Sequence, residues 1–288
     1  MDRKKFVQHL ARQLNQHLVI SLSDLCKPRA HIHTVPIFKS DERKALNFGS
    51  GVLLKLDGQG CLVTAGHVLD DILLEPQAMG IPGLHHGMKG LKLLFDGYCT
   101  NAIPEAGRGN DMIDAGALKL DKDLSDHVNN RYVTEGMCEQ NDNELVGNQY
   151  MIYGFPGGSG WRRWTRPTAV AKAYSQVTSI YRGETGLLEA YDPKRELLLN
   201  YSMRRNISRS GQIVTAPKPK GLSGCGIWRL ITADKPISSW TIGNMKLVGI
   251  VHSRIRQLEV VRVTRISYIL NMIRSQGWQQ VPSPEPEG

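Results

Sequence analysis

Three absences narrow this chain before any motif is read. No apolar run approaches the ~18 residues a membrane-spanning helix needs, so no span is expected. There is no CxxC pair either: Cys26, Cys61, Cys99, Cys138 and Cys225 stand apart, and an odd number cannot all pair within one chain. Neither a zinc framework nor a full disulfide set follows from those spacings, and no metal or cofactor is expected. Nor is there a run of about five to eight basic residues, although Lys and Arg outnumber Asp and Glu by 36 to 27 and leave a net charge of +9. The cations are scattered in short clusters such as Arg162-Arg163 and Arg204-Arg205. A dedicated nucleic-acid site is therefore not expected, whereas a general preference for acidic partners is.

The start, Met1-Asp2-Arg3-Lys4-Lys5, is charged like the head of a signal peptide, but Gln8, His9, Arg12, Gln13, Asn15 and Gln16 break any apolar run behind it. A soluble protein of a reducing, cytoplasmic compartment is expected. With 288 residues, 41% of them apolar, the chain has material for one large domain or two modest ones.

Phe6, Leu10, Leu14 and Leu18 recur at four-residue steps beside Val7, which predicts an amphipathic helix over residues 2–20 within an N-terminal helical extension, 1–44. Its apolar face packs on its own domain or docks a protein partner, and both readings stay open. From about residue 48 the texture changes to short β-rich runs punctuated by glycine: 51–56, 61–64, 91–95, 115–120, 150–153 and 247–251. Short strands with turn signals and no interleaved helical pattern predict an all-β barrel or sandwich. Loops are expected at 80–90, 100–112 and 154–160, and the polar stretch 121–149 reads as a connection between two halves. Ile266, Ile269, Leu270 and Ile273 predict a helix over 264–276. The proline-rich polar tail, 277–288, is expected to be disordered.

The chemistry-bearing residues lie in the β-rich part. In Gly221-Leu222-Ser223-Gly224-Cys225-Gly226 a serine sits among glycines, where backbone N–H groups can crowd a developing oxyanion. The pattern is not a Gly-x-Ser-x-Gly elbow, because Cys225 stands two residues after Ser223 and a strand-like run, 227–231, follows. Ser223 is the candidate nucleophile, with the N–H groups of Gly221 and Ser223 as oxyanion donors; a mere tight turn is the alternative, and Cys225 is a second-choice nucleophile. Upstream, 51–56, Asp57-Gly58-Gln59-Gly60 and 61–67 read as a hairpin that delivers His67 at its end, placed to take the serine proton. Asp114 directly precedes the apolar run 115–120 and is the candidate orienter of His67, with Asp111 as competitor. An acid buried unpaired at such a place would be costly.

The order His67, Asp114, Ser223, with Thr64-Ala65-Gly66-His67, Asp114-Ala115-Gly116-Ala117-Leu118 and Gly221-Leu222-Ser223-Gly224, resembles the chymotrypsin-like (trypsin-like) serine peptidases, most closely their bacterial, disulfide-free members. Tyr153-Gly154-Phe155-Pro156-Gly157 resembles the turn near the start of their second barrel. Val248-Gly249-Ile250-Val251-His252-Ser253 resembles the strand that flanks the substrate backbone. The resemblance covers about 45–275 and implies two six-stranded antiparallel β-barrels, about 45–122 and 150–265, that hydrolyse peptide bonds through an acyl-enzyme. The substrate pocket is then implied around Pro217, His252 and Ser253. The stretch Thr215-Ala216-Pro217-Lys218 has no obvious buried acid, so cleavage after Lys or Arg is unsupported. His252 is implied either as a donor to a Glu or Gln side chain or as a support behind Asp114. Secreted relatives carry an acid before the nucleophile that pairs with a newly cut N-terminus. Here that position is Leu222, which implies a site that is always formed or organised by a partner. Some stand-alone relatives act in bacterial stress or anti-phage defence. The competing expectation is a catalytically silent or latent module that works by binding a partner.

Overall fold

The computed structural model describes residues 20–41, 44–81, 91–101, 113–128, 131–140, 148–156, 171–186, 188, 191–203, 206–207, 213–214, 221–231 and 237–280. Of the expected helix over 2–20 only residue 20 is described, and Asp111, residues 157–160 and Pro217 with its neighbours 215–218 lie outside the described residues. Of the tail expected to be disordered over 277–288, residues 277–280 are ordered, Gln279–Gln280 pairing as a strand, while 281–288 lie outside.

In chain order the elements are helix α1 (20–33) and strands β1 (Thr34–Asp41), β2 (Lys44–Leu56) and β3 (Gln59–Ala65), then helix α2 (Gly66–Leu74). Strands β4 (Met79–Ile81), β5 (Leu91–Lys92), β6 (Phe95–Thr100) and β7 (Ala115–Leu120) follow, then helix α3 (Lys122–His127) and β8 (Val133–Thr134). The second half holds β9 (Gln149–Gly154), β10 (Tyr174–Thr178), β11 (Glu196–Asn200), β12 (Asn206–Ile207), β13 (Ile213–Val214), β14 (Gly226–Ile231), β15 (Lys246–Ile255) and β16 (Val260–Arg265). Helix α4 (Ile266–Gln276) and β17 (Gln279–Gln280) close the described chain.

Two curled antiparallel sheets result, the expected two-barrel architecture. The first runs β17-β6-β7-β3-β2-β1-β4-β5, with the short β8 pairing β2 in parallel; the second runs β10-β9-β14-β15-β16-β11. The β2–β3 hairpin closes on Asp57 (φ 49°) and Gly58 (φ 83°), both left-handed, as an Asp-Gly hairpin turn requires.

Most central strands bury both faces, which is why they read as continuous apolar runs rather than as strict alternation. On β2, Leu53 enters the interior of the first barrel with Ile37, Leu62 and Leu118, while Val52 and Leu54 face the seam between the barrels. On β14, Ile227 points into the second barrel with Leu197, Leu199 and Val263, while Trp228 and Leu230 face the same seam. Ile266, Ile269 and Ile273 of α4 close that seam from one side, and Cys26 and Ala30 of α1 also pack into it.

Helix α1 falls within the expected N-terminal helical extension but beyond the 2–20 pattern, and β1 replaces that extension's end. The first barrel begins at Thr34 instead of about residue 45, and α1 is part of the domain: His31 Nδ1 lies 2.9 Å from the Tyr153 hydroxyl, and Arg29 donates to the Ile242 carbonyl at 2.9 Å. Pro28, in the middle of α1, is a residue that ordinarily argues against a helix. The 91–95 run divides, with Leu93 and Leu94 separating β5 from β6. Within 121–149, α3 is capped by Asp121, whose carboxylate accepts the Leu124 N–H at 2.7 Å.

Candidate active site

His67 stands where β3 turns directly into α2, on the first helical turn, whose N–H groups have no partner within the helix. Ala65, the capping position, supplies no side-chain bond. Asp114 does so from the loop before β7: its Oδ1 accepts the His67 N–H at 2.7 Å, and its own carbonyl accepts the Gly66 N–H at 2.9 Å. The other carboxylate oxygen, Oδ2, lies 2.7 Å from His67 Nδ1. One acid therefore caps the helix and holds the imidazole at two points.

Asp114 has φ 42°, in the left-handed region that Asp tolerates better than most residues. Such strain persists only where the surroundings impose it. Here β7 pairs with β3 in register up to Ala65–Ala115, and the buried Thr264 hydroxyl donates to the Ile113 carbonyl at 2.6 Å. Burial pushes the Asp114 carboxyl up, but the hydrogen bond and charge of His67, with a smaller contribution from His252, more than reverse this and hold it below the usual carboxylate range.

Ser223 is half-buried in the loop between β13 and β14. Gly221 (φ 86°) and Gly224 (φ 83°) both take the left-handed conformation. At Gly224 a Cβ would meet the Ser50 carbonyl at 1.8 Å and Thr64 Oγ1 at 2.5 Å, so the loop lies directly on β2 and β3. Ser50, absent from the sequence-based candidates, ties this junction together. Its N–H donates to the Ser223 carbonyl at 2.9 Å, its carbonyl accepts the Thr64 hydroxyl at 2.8 Å, and its Oγ accepts the Phe155 N–H at 3.0 Å. Its neighbour Gly49 lies between the two halves of the site. A Cβ there would sit 3.1 Å from Val68, next to His67, and 3.5 Å from the Ser223 carbonyl. The loop that carries Ser223 thus packs against β2 and β3, and β3 leads directly to His67, which Asp114 holds.

Leu222 is buried with Leu199, Ile227 and Val251 of the second barrel, so an apolar anchor holds the loop. Cys225 is fully buried, and burial raises its thiol to about 12, which removes it as a nucleophile at neutral pH. All five cysteines are buried and free.

His252 and Ser253 lie on β15. The β15–β16 register passes from Val251–Val263 to Ser253–Arg262, leaving His252 as the extra residue of a bulge. Its ring is 4% exposed; Nε2 lies 2.8 Å from Glu196 Oε1 and Nδ1 lies 3.9 Å from Asp114 Oδ2. The ring is thus held by Glu196 and turned toward Asp114. Glu196, 1% exposed, also receives Arg262 through Nε at 3.0 Å and Nη2 at 2.6 Å. Burial raises the Glu196 carboxyl, and the bonds from His252 and Arg262 bring it below its ordinary value. Sequence reasoning missed Glu196, although the signal used for Asp114, an acid directly ahead of an apolar run, recurs there in Leu197-Leu198-Leu199.

Among the described residues no group of His, Cys, Asp and Glu is arranged to hold a metal, and no helix is long and apolar enough to cross a membrane.

No family model and no curated relative match the chain in sequence. Solved structures do match it. The scabies mite inactivated protease paralogue S-I1 is 12% identical, aligned over 85% of this chain and 94% of its own, with a TM-score of 0.51. The paralogue S-D1 is 11% identical over 87% and 95%, with a TM-score of 0.49. A Glu endopeptidase is 14% identical over 83% and 87%, with a TM-score of 0.44. At this identity the first likeness shows the fold, and the fold is chymotrypsin-like.

Proposed function

We propose that the chain is an intracellular serine endopeptidase that cleaves protein substrates through an acyl-enzyme, without a cofactor. The observation that carries this reading is the two-point grip of Asp114 on His67. With Nδ1–H donating to Asp114 Oδ2, the imidazole presents Nε2 as the base. His67 takes the proton of Ser223 Oγ as that oxygen bonds to the scissile carbonyl carbon. The N–H groups of Gly221 and Ser223 receive the negative oxygen of the tetrahedral intermediate. The imidazolium then gives its proton to the leaving amine, the C–N bond breaks, and the acyl group stays on Ser223. Water repeats the sequence, with His67 again as base, and frees the carboxylic acid. Asp114 remains ionised throughout, which its depressed proton affinity favours.

The buried Leu222 supports a loop set without N-terminal cleavage, and the five free thiols suit a reducing compartment. The similar scabies mite structure is of an inactivated paralogue, so the fold alone does not make an enzyme. His67 and Asp114 favour activity over a silent binding module, with a protein partner as the trigger where one is needed. N-terminal profiling by mass spectrometry, comparing cells that express the wild type with cells that express Ser223→Ala, tests this. New protein N-termini confined to the wild type are expected; identical N-terminal profiles would overturn the reading.

A further inference from the structure

The second barrel contains a buried group of charges that the proton transfers above do not use: His252, Glu196 and Arg262. Glu196 lies on β11, Arg262 on β16 and His252 at the β15 bulge. Burying a carboxylate at 1% exposure is costly unless it is paired and hydrogen-bonded. Arg262 supplies that pairing with a two-pronged contact, and His252 adds a third bond. An isolated Glu–Arg pair would have been complete without the histidine. The bulge instead turns His252 inward, so that one ring nitrogen is fixed by Glu196 and the other is directed at Asp114.

We propose that His252, fixed by Glu196 and Arg262, is a positioning residue for Asp114 that sets how strongly Asp114 holds the His67 imidazolium. This deepens, and rests on, the peptidase reading of the same site. His252 bonds Glu196 through Nε2 and turns its Nδ1 edge to Asp114 Oδ2, where its charge helps to hold that carboxylate below the usual range. That charge competes with His67 for the carboxylate and disfavours a second imidazolium nearby, keeping His67 available as a base at lower pH. The groups facing His252 are Asp114 from the loop before β7 and Glu196 from β11, with Arg262 of β16 and His67 of α2 one step further away. Tyr191 lies close enough to Glu196 and Arg262 to feel both charges.

The test has a readout that does not depend on turnover. In full-length protein carrying Ser223→Ala, the titration of His67 is followed by NMR with His252→Gln, Glu196→Gln or the distant surface change Arg274→Gln. The first two are expected to raise the His67 midpoint, by up to about one unit, equivalent to tenfold in proton affinity, and Arg274→Gln to leave it in place. In the Ser223 enzyme the same two changes are expected to move the acid limb of kcat and kcat/KM to higher pH by the same amount, so that activity below the midpoint falls by up to about tenfold with KM nearly unchanged. Thermal unfolding identifies variants that fail to fold; Glu196→Gln and His252→Gln are close in shape to the residues they replace, and one folded variant suffices. An unmoved His67 midpoint in a folded His252→Gln or Glu196→Gln protein would overturn the inference and leave the peptidase reading intact. A moved midpoint in a protein that cleaves nothing would uphold it and count against that reading instead.

Discussion

The two barrels build their shares of the site by different means. The first barrel offers His67 from regular structure: a strand ends, a helix begins, and the open N-terminal turn is capped by Asp114. Its interior around Ile37, Leu53, Leu62, Leu69 and Leu118 is apolar. The second barrel offers Ser223 from a loop with two left-handed glycines and keeps a buried Glu196–Arg262–His252 array beside Asp114. Apolar packing alone makes a barrel, as the first one demonstrates. Buried charges seldom add net stability over apolar residues of similar volume. They lie on the side that meets Asp114, while the described residues clustered inside the first barrel are apolar.

The contrast can be broken most severely at the acid shared by both barrels. Asp114→Asn is expected to lower kcat by about four orders of magnitude, since the amide favours the wrong imidazole tautomer, while the melting temperature changes far less than activity; peptide hydrolysis and calorimetry measure the two. Next comes stability. Leu53→Ala, in the apolar first barrel, is expected to cost about 2–5 kcal/mol, with the kcat of the folded fraction preserved. Gly224→Ala is expected to cost about 3 kcal/mol from strained backbone and the collision with Ser50, and unlike Leu53→Ala to abolish activity even in folded protein. Denaturant titration with active-site counting separates these two.

Acid should act on a carboxylate from each barrel. Asp114 and Glu196 both have folded proton affinities held below their ordinary values. Each therefore contributes stability that is complete above the unfolded-state range, about pH 4, and is lost as the pH falls through the lower folded value. Denaturant titrations from pH 6 down to 2 should show this decline, and Glu196→Gln should make it shallower even though the variant starts less stable. The smallest effect is expected from Arg274→Gln. That exposed side chain pairs with Glu135 and Asp57, and its loss should cost less than about 1 kcal/mol.

Much of this arrangement could be read from the sequence, because the chemistry is local there. Gly221 and Gly224 are required by backbone angles, Asp57-Gly58 by its hairpin, and the 115–120 strand matches β7 residue for residue. What escaped was set by tertiary contact. Helix α1, inside the expected helical extension, runs through Pro28 with Cys26 and Ala30 buried against the seam between the barrels, a packing that no local propensity carries. Strand β11 hides in a single three-residue apolar run behind a charged stretch, Asp192 to Glu196. Ser50 looks like a small residue between two glycines, yet it joins both barrels through bonds to partners more than a hundred residues away. The inward turn of His252 depends on a one-residue bulge, a feature of strand pairing and not of the strand's own sequence.

The central claim is that Ser223 is a nucleophile activated by His67 and Asp114. It is tested most directly by treating the full-length protein, alone and in cell extract, with a fluorophosphonate and mapping the adduct by peptide mass spectrometry. A single adduct on Ser223, lost in His67→Ala and strongly slowed in Asp114→Asn, is the predicted result. A folded wild-type protein that takes no label under either condition, or a label that survives Ser223→Ala, would contradict it.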